Sequence, residues 1–108
     1  MKDIKLSESR EIMSKVNFNT VEKDDYTLVL FEIPDVLAPE DLSTIAPPEI
    51  NGAKGVVLSG RGPIWLYCFL THFYHPTKFV ATYDPRLEGA VIVERHVAEY
   101  KVGSILRL

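Results

Sequence analysis

The stretch that decides the fold is Gly55-Val56-Val57-Leu58-Ser59-Gly60-Arg61-Gly62-Pro63-Ile64, continued by Lys78-Phe79-Val80-Ala81-Thr82-Tyr83-Asp84-Pro85-Arg86. A short apolar run rich in β-formers reads as a buried strand. Two glycines and a proline then turn the chain, and Pro63 suits the first position of a helix over Ile64 to Tyr74. Ile64, Trp65, Cys68, Phe69 and His72 recur at helical spacing and predict the face that packs on the core. Pro76 stops the helix, and Lys78 to Tyr83 reads as the next strand. Strand, helix and strand make one βαβ unit.

The flanking sequence builds outward from that unit. Met13, Val16, Phe18 and Val21 form a ragged strand, and Glu22 to Asp25 is a polar break before Tyr26-Thr27-Leu28-Val29-Leu30-Phe31-Glu32-Ile33. This predicts an N-terminal hairpin whose second strand, almost continuously apolar, lies inside a sheet. Pro39 to Ile45 predicts a short helix with proline and two acids in its first turn. Ala90 to Val93 and Ser104 to Leu108 predict two further strands. The expectation is an α+β domain with a mixed β-sheet, an N-terminal hairpin and two helices, spanning residues 12–108, with 1–11 a variable N-terminal segment of no assigned function.

Composition narrows the function classes. A chain of 108 residues, 46% hydrophobic, holds one core and is too short for two ordinary domains. Its net charge of −3 argues against general attraction to duplex DNA, though not against a local basic pocket for a small anion. No apolar run reaches the roughly 18 residues of a membrane span, and the charged start lacks the apolar stretch of a secretory signal, so a soluble, cytoplasmic protein is expected. Cys68 has no cysteine partner and is expected to be a small core residue.

Three groups of residues could carry chemistry. Ser59, Gly60, Arg61 and Gly62 lie between a strand end and a helix start, where free amides, the helix dipole and a guanidinium favour phosphate or carboxylate. The alternative is a tight turn that needs its glycines for backbone reasons. Asp84-Pro85-Arg86 ends the next parallel strand and so shares the sheet edge of that loop, the edge where ligands commonly bind. Alternatively, Asp-Pro makes a surface turn with Asp84 paired to Arg86. His72, His75 and His96 are the three histidines; the first two could ligate a metal or move protons, or else pack in the core or at an interface (His72) and cap the helix (His75). The helix carries His75 away from Arg61 by about 1.5 Å per residue, so a site using both would be shared between subunits. The aromatic residues Trp65, Tyr67, Phe69, Phe73 and Tyr74 read mainly as core, with Trp65 near enough to the loop to stack on a base.

The strings SGRGPIWL (59–66) and YDPRL (83–87), with the His72 to His75 segment, strongly resemble the small Csx-type CRISPR-associated ring nucleases of type III systems, from about Tyr26 onward. That resemblance implies a ferredoxin-like, CARF-related single domain and a homodimer that associates further around its ligand. It also implies binding of cyclic tetra-adenylate and its cleavage to linear di-adenylate, which switches off type III signalling. Some family members are described instead as manganese-dependent 3′–5′ deadenylating exoribonucleases acting on short RNA; sensing of the ring without cleavage is a further alternative. Carried onto this chain, the catalytic residues are His75, Asp84 and Arg86, and the ligand-binding loop is Ser59, Gly60, Arg61 and Gly62. A manganese ion, where one is used, would be held by Asp84 and His96; His96 matches only if Glu88 is an extra residue in the turn.

Overall fold

The computed structural model describes residues 15–108. Met13 and the 1–11 segment lie outside the described residues. The chain forms β1 (Asn17–Glu22), β2 (Tyr26–Glu32), a short 3₁₀ helix (Pro39–Thr44), β3 (Gly55–Gly60), α1 (Ile64–Phe73), β4 (Phe79–Asp84), β5 (Gly89–Arg95) and β6 (Ile105–Leu106). Among the described residues the six strands join one sheet in chain order. β2, β3 and β4 are parallel, and the outer pairs β1–β2, β4–β5 and β5–β6 are antiparallel. The α+β class, the hairpin and the two helical segments are as the sequence predicts. The strands of the βαβ unit are immediate neighbours, so the order is strictly sequential, without the interleaving found in ferredoxin-like sheets.

The central parallel strands carry the core because both of their faces are covered. Val56, Val57 and Leu58 are completely buried. On one face Val29, Phe31, Val56, Leu58 and Val80 pack against Leu66, Leu70 and Tyr74 of the helical segment. On the other, Val57, Phe79, Ala81, Ala90 and Ile92 cluster, with Tyr100 against the Phe79 ring at 4.4 Å between centroids.

The helix is where the sequence reading needs correction. Its fully buried side chains are Leu66 and Leu70, continued by Tyr74, an i, i+4, i+8 stripe. Ile64 is 81% exposed, and both Cys68 and His72 are exposed; neither is a core residue. In a segment this apolar, several faces satisfy the helical period, and the sheet below selects the one carrying two leucines and a tyrosine, none of them branched at Cβ. Trp65, Tyr67 and Phe69 are half-buried at the margin of the core.

The Tyr74 hydroxyl donates to the Pro48 carbonyl at 2.6 Å, tying the helix end to the loop that follows the 3₁₀ helix. Burial pushes its pKa from 10 up to about 12. Below pH 10 the phenol is neutral both folded and unfolded; above it only the unfolded chain ionises, so stability falls as pH rises from 10 to 12. Urea titrations across that window are expected to show a shallower decline for Tyr74→Phe than for the wild type.

Candidate functional site

Topology places the predicted residues at two ends of the molecule. β3 and β4 run parallel with Leu58 opposite Thr82, so Ser59 and Gly60 finish at the sheet edge where Asp84 finishes. α1 starts at that edge and runs back along the sheet for 10 residues, about 15 Å. His75 therefore lies at the far end, near the start of β4. His96 lies there too: its backbone N–H donates to the Lys78 carbonyl at 2.9 Å. One chain thus brings Ser59, Gly60, Arg61 and Gly62 to the edge of Asp84 and Arg86, and brings neither His75 nor His96 to them.

The Asp84 carboxylate is fully engaged by Arg86. The guanidinium donates through Nη2 to Oδ2 at 2.9 Å and through Nε to Oδ1 at 3.2 Å, and the Arg86 backbone N–H reaches Oδ1 at 2.9 Å. These hydrogen bonds hold the Asp84 carboxyl below the usual carboxylate range and raise the Arg86 pKa in turn. The surface pairing foreseen as the alternative for this motif is the arrangement present. A depressed pKa favours the folded state above the ordinary value of 3.8, and the benefit disappears as pH falls through the lower folded midpoint; on an exposed pair it is small. Arg86→Ala is expected to return the Asp84 midpoint toward 3.8, followed by carboxyl NMR titration.

The glycine loop has a structural explanation of its own. A Cβ at Gly60 would run into the Phe31 carbonyl oxygen, and one at Gly62 would sit 3.1 Å from Leu66 Cδ2 and 3.2 Å from the Phe31 ring. The Gly60 N–H, a candidate anion donor by sequence, is taken: it donates to the Tyr67 hydroxyl at 3.1 Å, and that hydroxyl donates to the Gly60 carbonyl at 2.6 Å. Arg61, by contrast, is exposed, as is Gly62.

At the far end, His75 Nδ1 lies 3.0 Å from the His72 carbonyl oxygen, and its backbone N–H donates to the same oxygen at 3.3 Å. A carbonyl only accepts, so Nδ1 carries the proton and Nε2 of the neutral ring is left as an acceptor. Helix capping and proton chemistry are therefore compatible in His75, since the cap uses the other nitrogen. The His72 and His75 rings stack with centroids 5.6 Å apart. Both line a groove of about 590 Å³ with Tyr67, Cys68, Thr71, Thr82, Val93 and Glu94.

Sequence reasoning missed this groove. Tyr67, Thr71 and His75 stand at i, i+4 and i+8, a polar stripe that could have been read as a lined helix flank. Glu94 could not: the β4–β5 register shifts between Val80 and Ala81, a bulge that leaves Val93 over and sets both Val93 and Glu94 on the groove wall.

The residues do not fit a manganese ion within one chain. Asp84 and His96 sit at opposite ends of the β4–β5 hairpin, about 20 Å apart at ~3.3 Å per residue, and Arg86 covers both Asp84 oxygens. Among the described residues no three of His, Cys, Asp or Glu are grouped to hold a metal. Nor, among them, is any helix long and apolar enough to cross a membrane.

Residues 30–107 match the family of CRISPR-associated proteins described as Cas_csx3. A protein of Aquifex aeolicus (strain VF5), described only as uncharacterized, is 53% identical over 88 residues, covering 78% of this chain and 79% of the relative.

Proposed function

We propose, for a chain that belongs to the Cas_csx3 family of CRISPR-associated proteins, that it is a ring nuclease acting on cyclic tetra-adenylate at a site completed by two copies of the chain. The observation that carries this reading is the separation of two chemically incomplete halves. One end offers Arg61, Arg86 and Asp84, suited to phosphate and to developing charge; the other offers His75 with Nδ1 engaged and Nε2 available. Neither half alone combines phosphate binding with proton transfer. Stacking one copy's loop edge on another copy's His75 end would join them around a ring-shaped ligand.

An RNA ring brings its own nucleophile, so the protein's task is to hold a phosphodiester in line, move protons and offset charge. In the proposed step His75 Nε2 takes the proton of a 2′-hydroxyl as O2′ bonds to phosphorus. The P–O5′ bond breaks, and the departing O5′ takes a proton from solvent. Arg61 and Arg86 hold the phosphate oxygens, and two such cuts yield linear di-adenylate. For Arg86 to do so it must exchange the Asp84 carboxylate for phosphate, which frees Asp84 to orient a hydroxyl. No step is routed through a metal; an ion shared between Asp84 of one copy and His96 of another would require a second geometry.

The test is a single-turnover incubation of the chain with labelled cyclic tetra-adenylate, with manganese and with EDTA, across a dilution series. Linear product at a rate per subunit that falls on dilution supports the proposal. Tight binding without product indicates a sensor, and faster attack on adenylate-tailed linear RNA indicates a deadenylase. Activity unchanged by EDTA removes manganese from the chemistry.

A further inference from the structure

We infer that Tyr67 is a positioning residue that sets the ligand-binding loop; the inference rests on the ring-nuclease reading. The β3–β4 ladder ends at Leu58 and Thr82, two residues before Gly60. Beyond it, the Tyr67 hydroxyl engages both polar groups of Gly60, accepting from its N–H at 3.1 Å and donating to its carbonyl at 2.6 Å. One helix side chain thus serves this strand end as a neighbouring strand would, with its donor and its acceptor both used.

The clamp is itself held. The Tyr67 ring meets Phe31 edge-on, 5.1 Å between centroids and 70° between planes. The Phe31 carbonyl in turn blocks any side chain at Gly60. Gly60 is therefore held on the β2 side by its register opposite Phe31 and on the helix side by two hydrogen bonds, and Arg61 follows directly from it. With its hydroxyl committed to the backbone, Tyr67 acts through the loop and not on the reacting atoms. Two flanking glycines leave the loop wide conformational freedom, and the clamp removes the Gly60 share of it before ligand arrives, which lowers the cost of ordering Arg61 on binding.

The test compares Tyr67→Phe with Tyr74→Phe. Both remove one hydroxyl from the same helical segment and keep the ring; only Tyr67 touches the loop. Cyclic tetra-adenylate is the probe, with KM and kcat measured separately and Gly60 amide exchange followed by NMR. In Tyr67→Phe the Gly60 amide is expected to exchange faster and KM to rise by about tenfold, with kcat at saturation nearly unchanged. Tyr74→Phe is expected to lower stability and leave KM in place. Equal KM in Tyr67→Phe and wild type, or equal increases in both variants, would overturn the inference. Absence of any ring binding by the wild type would overturn the ring-nuclease reading and this inference with it.

Discussion

Replacing His75 by alanine is expected to lower ring cleavage by ~10²–10⁴-fold while cyclic tetra-adenylate binding stays near the wild-type value. The size follows from the role: loss of a positioned general base removes proton transfer, and no other histidine has the same arrangement. His72, stacked on His75, contributes its carbonyl to the cap, not a second base fixed in the same way. Binding is spared because Arg61 and Arg86 occupy the opposite end of the sheet. The pattern to look for is a collapse of kcat with KM little changed. A proportionate loss of binding would mean that His75 holds the ligand and that the two ends are not functionally divided.

The second large effect is on stability. Leu66→Ala and Leu70→Ala each delete a fully buried side chain between the helix and the sheet, and each is expected to cost about 2–5 kcal/mol. Against a typical total of ~5–15 kcal/mol, either change removes a substantial share of the stability. Cys68→Ala, between them on the exposed flank, is expected to shift stability by no more than ~0.5 kcal/mol. Urea unfolding of the three variants checks both statements. A large loss for Cys68→Ala with a small one for Leu66→Ala would mean that the helix packs on the face the bare periodicity favours.

That contrast shows what this sequence makes legible. The strands were readable because Val56 to Leu58 and Phe79 to Ala81 are continuous apolar runs ended by loop residues, as strands buried on both faces must be. The helix was readable from Pro63 and Pro76, but its orientation was not. With Ile64, Trp65, Leu66, Cys68, Phe69 and Leu70 all apolar, the narrow polar stripe of Tyr67, Thr71 and His75 marks one flank but leaves several apolar faces to choose from, and tertiary packing makes the choice.

At the site, spacing and parallel topology correctly set the glycine loop and Asp84-Pro85-Arg86 at one edge and carried His75 away from it. What spacing could not supply was the state of the groups: that Asp84 is already paired, that the Gly60 amide is already used, and that a bulge turns Glu94 toward the groove. Each depends on a partner or register fixed only when the chain has folded.

The shared site is the central claim, and mixing two disabled chains tests it most directly. His75→Ala keeps an intact loop edge with Asp84, and Asp84→Ala keeps an intact His75. Each alone is expected to be inactive on labelled cyclic tetra-adenylate, and combining them is expected to restore cleavage, because a His75 end from one chain then meets an Asp84 edge from the other. A mixture as inactive as its components, while both still bind the ring, would contradict the account.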